Sequence, residues 1–398
     1  MANNLSSNIT RPLAKIFLEA FESSRVVTKT VNTQLLSGKF NPSTGTKVDF
    51  KRPHDYNSIR STGGDISAAA KSDIIAGKAT GTVQPYFTSA TEWSNIQEAL
   101  ELDQLDQILE PMARRLVTDL ELDLAKFMRI NTGLNYGARG TAVDAWSDVA
   151  GAGAMMDSVG VPMSDNKYYL MNPFTTTSLA SAQSGLNAAD GLVRTAFEKA
   201  QIASNFGGMK ALTSNALSSY TSGSTTDRLG DLKTAPDATY VTAKDTMQQT
   251  MVIETLGTGT IEAGDQIQVA GVNRLNIATR QLILDTTGAA VPWTGTVLAV
   301  VTIAGNEATV VVSGAAIYEA NGQYNNVDAA PAAGAVVTIL GAAATVYQPN
   351  LFYTEQAFGL GTVKLPKLYS TDTVATTSDG MSIRVSKYSD GDANTQKI

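Results

Sequence analysis

Between residues 96 and 128 the apolar positions Leu102, Leu105, Leu109, Met112, Leu116, Leu120, Leu124 and Phe127 recur at intervals of three and four. That spacing puts them on one face of a long amphipathic helix, with charged residues on the other. Pro111 lies inside the pattern. Proline has no backbone donor and restricts the residue before it, so a kink or a fresh helix start is expected there. A shorter run of the same period, LAKIFLEAF at residues 13–21, gathers Leu13, Ile16, Phe17, Ala20 and Phe21 on one face, and the β-branched run 25–31 follows; together they read as an amphipathic arm. At residues 45–51 the period changes to two, with Val48 and Phe50 alternating with polar neighbours up to Pro53, and strand character returns over 79–91. From 53 to 77 no period holds. The segment PHDYNSIRSTGGDISAAAKSDIIAG is small, polar and glycine-containing, which predicts a long loop between two paired strands.

Further along, KYYLMN at 167–172 reads as a buried strand, and the turn at Asn172 and Pro173 leads into a weak helix, FTTTSLASAQ. A second short helix is expected over 192–200. Composition then shifts at 217–231, LSSYTSGSTTDRLGD, a Ser, Thr and Gly stretch of the kind that joins separately folded units. From about 240 to 340 helix signals vanish. Five β-rich runs replace them, TMVIETL, DQIQVAG, TVLAVVTIAG, ATVVVSG and AVVTILG, each bounded by Gly, Asn or Asp, which predicts a small antiparallel barrel or sandwich. The strings NLFYTEQAFGLGTVKL and MSIRVSKY then resume the mixed texture of the first half, so the β unit is read as an insertion into a host domain. No internal repeat is evident.

Composition narrows the functional classes. A length of 398 residues with 43% hydrophobic content suits two or three globular domains. The chain has no cysteine, which removes disulfides, thiolate metal sites and cysteine nucleophiles together. No basic start with an apolar stretch marks a secretory leader, and no apolar run is long enough to span a bilayer. A net charge of −7 opposes a DNA-wrapping role, which needs clustered Lys and Arg; any genome contact is expected to be weak.

Catalytic motifs are equally scarce. His54 is the single histidine, so a Ser/His/Asp triad or a multi-histidine metal site has only one centre to form around. Gly77-Lys78-Ala79 lacks the upstream glycine and the hydroxyl residue of a phosphate loop, and Gly151-Ala-Gly153 is followed by Met156 where a dinucleotide fold needs a third glycine. Asp390, Asp392 and Asn394 resemble the opening of a calcium loop, but Thr395 stands where glycine is required, and a tight turn is the better reading. Glu98, Glu101, Asp103 and Asp106 near the start of the long helix are accounted for by the helix dipole and by solvation.

The order of elements is arm, strand, long loop, strand, long helix, mixed domain, inserted β unit and return strands. It resembles the α+β coat fold of tailed bacteriophages, the HK-ninety-seven-like fold. VDFKRPHDYNSIRSTGGDIS, AGKATGTV, ELDLAKFM, GLVRTAFEKAQIASNFGGMKAL, QPNLFYTEQAFGLGTVKLPKL and SIRVSKYSDGDANTQKI are similar to the short-tailed branch typified by phages P-twenty-two and S-f-six. The inserted segment matches least, apart from GDQIQVAGV and IYEANGQYN. The resemblance implies an N-terminal arm over 1–35 and a peripheral domain over 36–149, with an extended loop at 53–78 and a spine helix at 100–131. It also implies an axial domain over 150–225, an inserted β-barrel domain over 226–345, an axial return over 346–375 and peripheral return strands over 376–398. Relatives continue past a string like NTQKI, so a further segment beyond Ile398 is expected.

The function so implied is that of a major capsid protein. It would form hexamers and pentamers of an icosahedral shell, with triangulation number seven, around packaged double-stranded DNA. Its partners would be itself, a scaffolding protein, a portal and, weakly, the DNA. There would be no enzymatic activity, no cofactor and no membrane, with assembly in the bacterial host cytoplasm and final location in the virion. Two other classes stay open on the residues alone: a secreted adhesin or carbohydrate-binding β module, suggested by the Thr, Ala and Gly-rich second half, and a carboxylate-only hydrolase.

Within that reading the loop is the expected subunit contact. Tyr56, Ile59, Ile66, Ile74 and Ile75 are its only large apolar side chains, too few to anchor it, so it is expected to be mobile in the free monomer. It carries both signs of charge, Arg60, Lys71 and Lys78 against Asp55, Asp65 and Asp73, as suits ion pairs across an interface. Arg60, Asp65, Lys71, Asp73 and Lys78, with Phe17 and Phe21 of the arm, are the subunit-interface candidates.

Overall fold

A computed structural model describes residues 18–33, 46–94, 105–184, 199–200, 202–363, 365–368, 372–390 and 395–398. The chain divides into two compact units, one built from residues 1–48, 82–125 and 354–398, the other from 49–81 and 126–353. The expected helix at 192–200 and the arm residues up to Phe17 lie outside the described residues, apart from 199 and 200.

In the first unit residues 18–24 are helical and a single 3-10 turn, Val27–Lys29, follows. Phe21 packs with Ala20, Ala113, Val117, Met381 and Val385 in one buried cluster. The strands Thr373–Thr376 and Ser382–Val385 pair as a hairpin, and Glu92–Ser94, Thr395–Lys397 and Tyr388–Asp390 form a small sheet. Glu121 is buried on the long helix, where it accepts hydrogen bonds from the amides of Val26 and Thr28. Arg25, also buried, donates to the Thr28 hydroxyl at 2.8 Å and pairs with Asp379 at 2.6 Å.

The long helix runs unbroken over Leu105–Ile130, with Pro111 inside it, so the expected restart at the proline does not occur. The missing amide costs about 3 kcal/mol. Val117, Leu124 and Met128 are almost wholly removed from water, and each such side chain contributes about 1.5–3 kcal/mol. Burial therefore outweighs the local penalty.

The second unit holds a mixed sheet in the order Leu351–Thr354, Lys167–Met171, Met209–Thr213, Asn205–Phe206, with Lys167–Met171 and Met209–Thr213 parallel. Helices Trp146–Val159 and Pro173–Ser184 contribute Val149, Ala152, Met156 and Leu179 to the cluster on its face. The first of these helices was not anticipated. Beyond the sheet lies a closed antiparallel barrel of Gln266–Asn273, Pro292–Val297, Ala308–Ser313, Gln248–Glu254, Leu229–Leu232 and Val336–Ile339. Gln248–Glu254 and Ala308–Ser313 alternate buried and more exposed positions, as a curved sheet with one solvated face requires, whereas Pro292–Val297 is buried from Trp293 onward. The interior is filled by Trp293, Met251, Ile253, Val310 and their neighbours, and the Trp293 indole donates to the Gly314 carbonyl at 2.9 Å.

Three expectations need correction. Residues 79–91 are not one strand: pairing stops at Thr82, and a second strand begins only at Glu92, with Pro85 between. TVLAVVTIAG is divided between Pro292–Val297 and Val301–Thr302, with Val300 exposed. The stretch 217–231 is not a free linker. Ser222 and Thr225 are buried in it, and Leu229–Leu232 is a barrel strand paired to both Gln248–Glu254 and Val336–Ile339.

Candidate assembly surface

The strands Lys47–Lys51 and Lys78–Thr82 pair as a two-stranded ribbon, and the amide of Arg52 donates to the Gly77 carbonyl at 2.9 Å. Between them the chain folds back without regular structure beyond a 3-10 turn at Thr62–Gly64, where Gly63 and Gly64 both take left-handed backbone angles. Residues 56–68 are exposed throughout, Ile59 and Ile66 included. The Asn57 amide donates to the Ser72 hydroxyl at 2.9 Å and closes the neck of the loop.

Below that neck the loop is fastened to the outside of the barrel. Arg280 donates to Asp55 and to the Gln323 carbonyl, and reaches the Asn325 carbonyl at 2.6 Å. The Asn57 side chain donates to the Asn321 carbonyl at 2.8 Å, and the Gln323 amide group to the Asp73 carbonyl at 2.6 Å. Ile75 lies against Tyr240 and Tyr324, whose rings stack 3.6 Å apart. Gly77 is buried at this junction. A Cβ there would lie 2.8 Å from the Lys244 carbonyl and 3.0 Å from the Tyr240 hydroxyl, so the close approach needs glycine.

Each candidate residue now has a place. Lys78 pairs with Asp49 at 2.8 Å across the ribbon, and that partner raises the pKa of its ammonium. Asp65 accepts from the Ser67 amide at 2.9 Å, which lowers the pKa of its carboxyl. Arg60, Lys71 and Asp73 are exposed, and their side chains pair with no described residue of the protomer. Phe21 is enclosed in the core of its own unit, which leaves it no outward surface, and Phe17 lies outside the described residues. The expectation that nothing anchors the loop needs correction at the base, where Ile75, Asp55 and Asn57 are all engaged. Arg280, Asn321, Gln323, Tyr324 and Tyr240, which hold it, were missed because they stand more than 160 positions further on. Asn321, Gln323 and Tyr324 fall within IYEANGQYN, whose likeness to a phage family says nothing of contacts, and no motif marks Arg280 or Tyr240.

No chemistry of another kind competes for this surface. His54 is exposed beside Tyr56, their rings 6.5 Å apart. Among the described residues no three His, Cys, Asp or Glu side chains gather as a metal site, and no helix is long and apolar enough to cross a membrane.

Comparison with known proteins gives consistent relatives. A "Major capsid protein" of Acyrthosiphon pisum secondary endosymbiont phage 1 is 46% identical, over the whole of this chain and 95% of its own. Among solved structures, a chain of Mycobacterium phage Che8 aligns with 72% of this chain and 88% of its own at 13% identity and a TM-score of 0.34. The capsid structure of Cyanophage P-SCSP1u aligns with 68% and 80% at 16% identity and a TM-score of 0.31. The family described as "P22 coat protein - gene protein 5" matches residues 1–398. Its members are structural coat proteins and not enzymes, and it is to this P22 coat protein family that the chain belongs.

Proposed function

We propose that this phage major capsid protein forms hexamers and pentamers that close into an icosahedral shell of triangulation number seven around double-stranded DNA. The observation that carries the reading is 46% identity with a phage major capsid protein along the entire chain. Scaffolding protein and portal are its assembly partners in the host cytoplasm, the virion is its final location, and contact with the packaged DNA is weak, in keeping with the net charge of −7. The domain plan is that of the HK-ninety-seven-like fold: arm 1–35, peripheral domain 36–149 with its returning strands 376–398, axial domain 150–225 with its return 346–375, and inserted barrel domain 226–345.

Within the shell the loop at 53–78 is the contact between neighbouring subunits. Its tip offers Arg60 and Lys71 without a described partner, while its base is held by the barrel, an arrangement that presents an exposed element in a fixed direction. Expression with the neighbouring gene products, followed by negative-stain microscopy, tests the reading. Uniform closed shells are expected; soluble monomers alone under all co-expression conditions would refute it.

A further inference from the structure

Lys126 and Arg129 stand three residues apart on the last turn of the long helix and so share a face. Both line an open cavity of about 520 Å3 whose other walls include Tyr220, Ser224, Thr260 and Glu262. Arg129 is only 9% exposed, yet it has no hydrogen bond or ion pair with any described residue. Its Nε and Nη1 are sealed from solvent without a partner, which leaves Nη2 as the nitrogen open to the cavity. The guanidinium lies 4.4 Å over the Tyr220 ring. That contact and the negative end of the helix dipole each offset part of the cost of burying the charge. Withdrawing a cation from water costs more than these two contacts return, and burial lowers the pKa of the guanidinium. The balance is unfavourable until an anion arrives.

Within the chain Asp265 attracts the Arg129 guanidinium but forms no ion pair or hydrogen bond with it. Asp265, fully buried, is already shared by Arg139 and Arg228, each 3.8 Å from its Oδ1, and its Oδ2 accepts the amides of Gly223 and Glu262 at 2.9 and 3.0 Å. Lys126 is exposed and forms no ion pair with a described residue. Lys126, Arg129, Arg139 and Arg228 are therefore set against two carboxylates, Asp265 and Glu262, a local excess of two positive charges in a chain of net charge −7. The hydroxyl protons on the wall are engaged within the protein: Thr260 donates to the Glu262 carboxylate at 3.3 Å, and the Ser224 hydroxyl lies 3.2 Å from that of Thr260.

We propose that this cavity binds one phosphate group, with Arg129 and Lys126 supplying the charge. A phosphate matches the excess better than a carboxylate, because it carries up to two negative charges and has more acceptor oxygens. Free phosphate and the backbone of a nucleic acid present the same group, and binding it depends on no step of shell assembly.

The test is thermal unfolding and calorimetric titration of the full chain with inorganic phosphate, against sodium chloride at matched ionic strength. A saturable, phosphate-specific rise in Tm is expected. Arg129→Gln should abolish it, and Lys126→Gln, at an exposed position that tolerates change, should weaken binding about tenfold, equivalent to ~1.4 kcal/mol. A short DNA duplex that displaces phosphate identifies nucleic acid as the source, whereas a phosphate effect the duplex leaves intact identifies free phosphate; either supports the site. No saturable effect in the parent chain overturns the proposal, as does the same effect in both variants.

Discussion

At the base of the loop Arg280 donates to Asp55 and to the carbonyl oxygens of Gln323 and Asn325. The carboxylate and the carbonyls differ in what they lose if the guanidinium goes. The Asp55 side chain is 42% exposed and can turn to water, so the ion pair is worth about 0–1 kcal/mol. The carbonyls are held against the barrel, and hydrogen bonds to a charged group contribute about 1.5–3 kcal/mol, discounted here for partial exposure. Arg280→Ala is therefore expected to cost about 2 kcal/mol and Asp55→Asn less than about 1 kcal/mol. Urea unfolding would measure both, with hydrogen exchange over residues 53–77 reporting the loop, and equal losses would show that the ion pair is the fastening. Glu121 carries a different signature. It is 4% exposed, and burial pushes its carboxyl above the ordinary 4.5 although the amides of Val26 and Thr28 pull the other way. A native acid with a raised pKa keeps its proton while the unfolded chain gives it up, so its contribution falls as pH rises from 4.5 to the native value and is constant beyond. Glutamine keeps an acceptor oxygen and cannot ionise. Glu121→Gln should remove that fall, so that its stability relative to the parent increases from about pH 4 to 7; a difference that stays constant over the series would exclude Glu121 as the titrating group.

Elements whose burial is one-sided were legible before any coordinates. The long helix shows its apolar face every three or four residues, and barrel strands such as Gln248–Glu254 and Ala308–Ser313 show theirs every second residue, because one face packs and the other meets water. Trp146–Val159 escaped notice for the opposite reason. Its residues are small on both faces: Ala152 and Gly153 are buried while Gly151 and Ala154 are not, so side-chain size does not mark the face that packs. A run such as VAGAGA therefore leaves no periodic trace. Leu229–Leu232 was hidden by brevity and by Gly230, whose Cβ would sit 2.7 Å from the Glu254 carbonyl. That strand bears on the limits of the barrel as a folding unit. Ser222 donates to the Ala342 carbonyl at 2.6 Å and accepts from the Thr345 amide at 3.0 Å, and the Gly223 amide donates to buried Asp265. A fragment of residues 222–345 is expected to fold alone, and one of 226–345 to be less stable, since cutting away Gly223 removes one of the two amide donors to the Asp265 carboxylate. Circular dichroism and the emission of Trp293, the one tryptophan in either fragment, would follow both. Equal stabilities would show that these closing bonds contribute little.

At the scale of the whole molecule the loop joins a fixed base to an unsatisfied tip. Asp55, Asn57, Asp73 and Ile75 are engaged by the barrel, while Arg60 and Lys71 meet no described partner in their own protomer. A segment fastened in this way loses less conformational freedom on docking than a free one, so more of each contact is available to assembly. Single ion pairs at an exposed surface are worth about 0–1 kcal/mol. A closed, symmetric ring repeats the same contact at every subunit, so small terms accumulate over the assembly. One charge substitution, such as Arg60→Gln, should then weaken shells gradually, with the midpoint of urea dissociation moving while closure survives. Removing the tip is a different kind of change. Deletion of residues 57–72 with a short glycine linker takes away Arg60 and Lys71 together with Ile59, Ile66 and the Asn57 fastening, but spares Asp55, Ile75, Gly77 and the paired strands that carry the loop. The protomer should keep its folded spectrum and its barrel, because the deleted residues contribute nothing to the buried clusters. Sedimentation and negative-stain microscopy should find it monomeric. Shells as numerous and as resistant to urea as those of the parent chain would mean that the tip is only a solvated hairpin end and that closure depends on other surfaces.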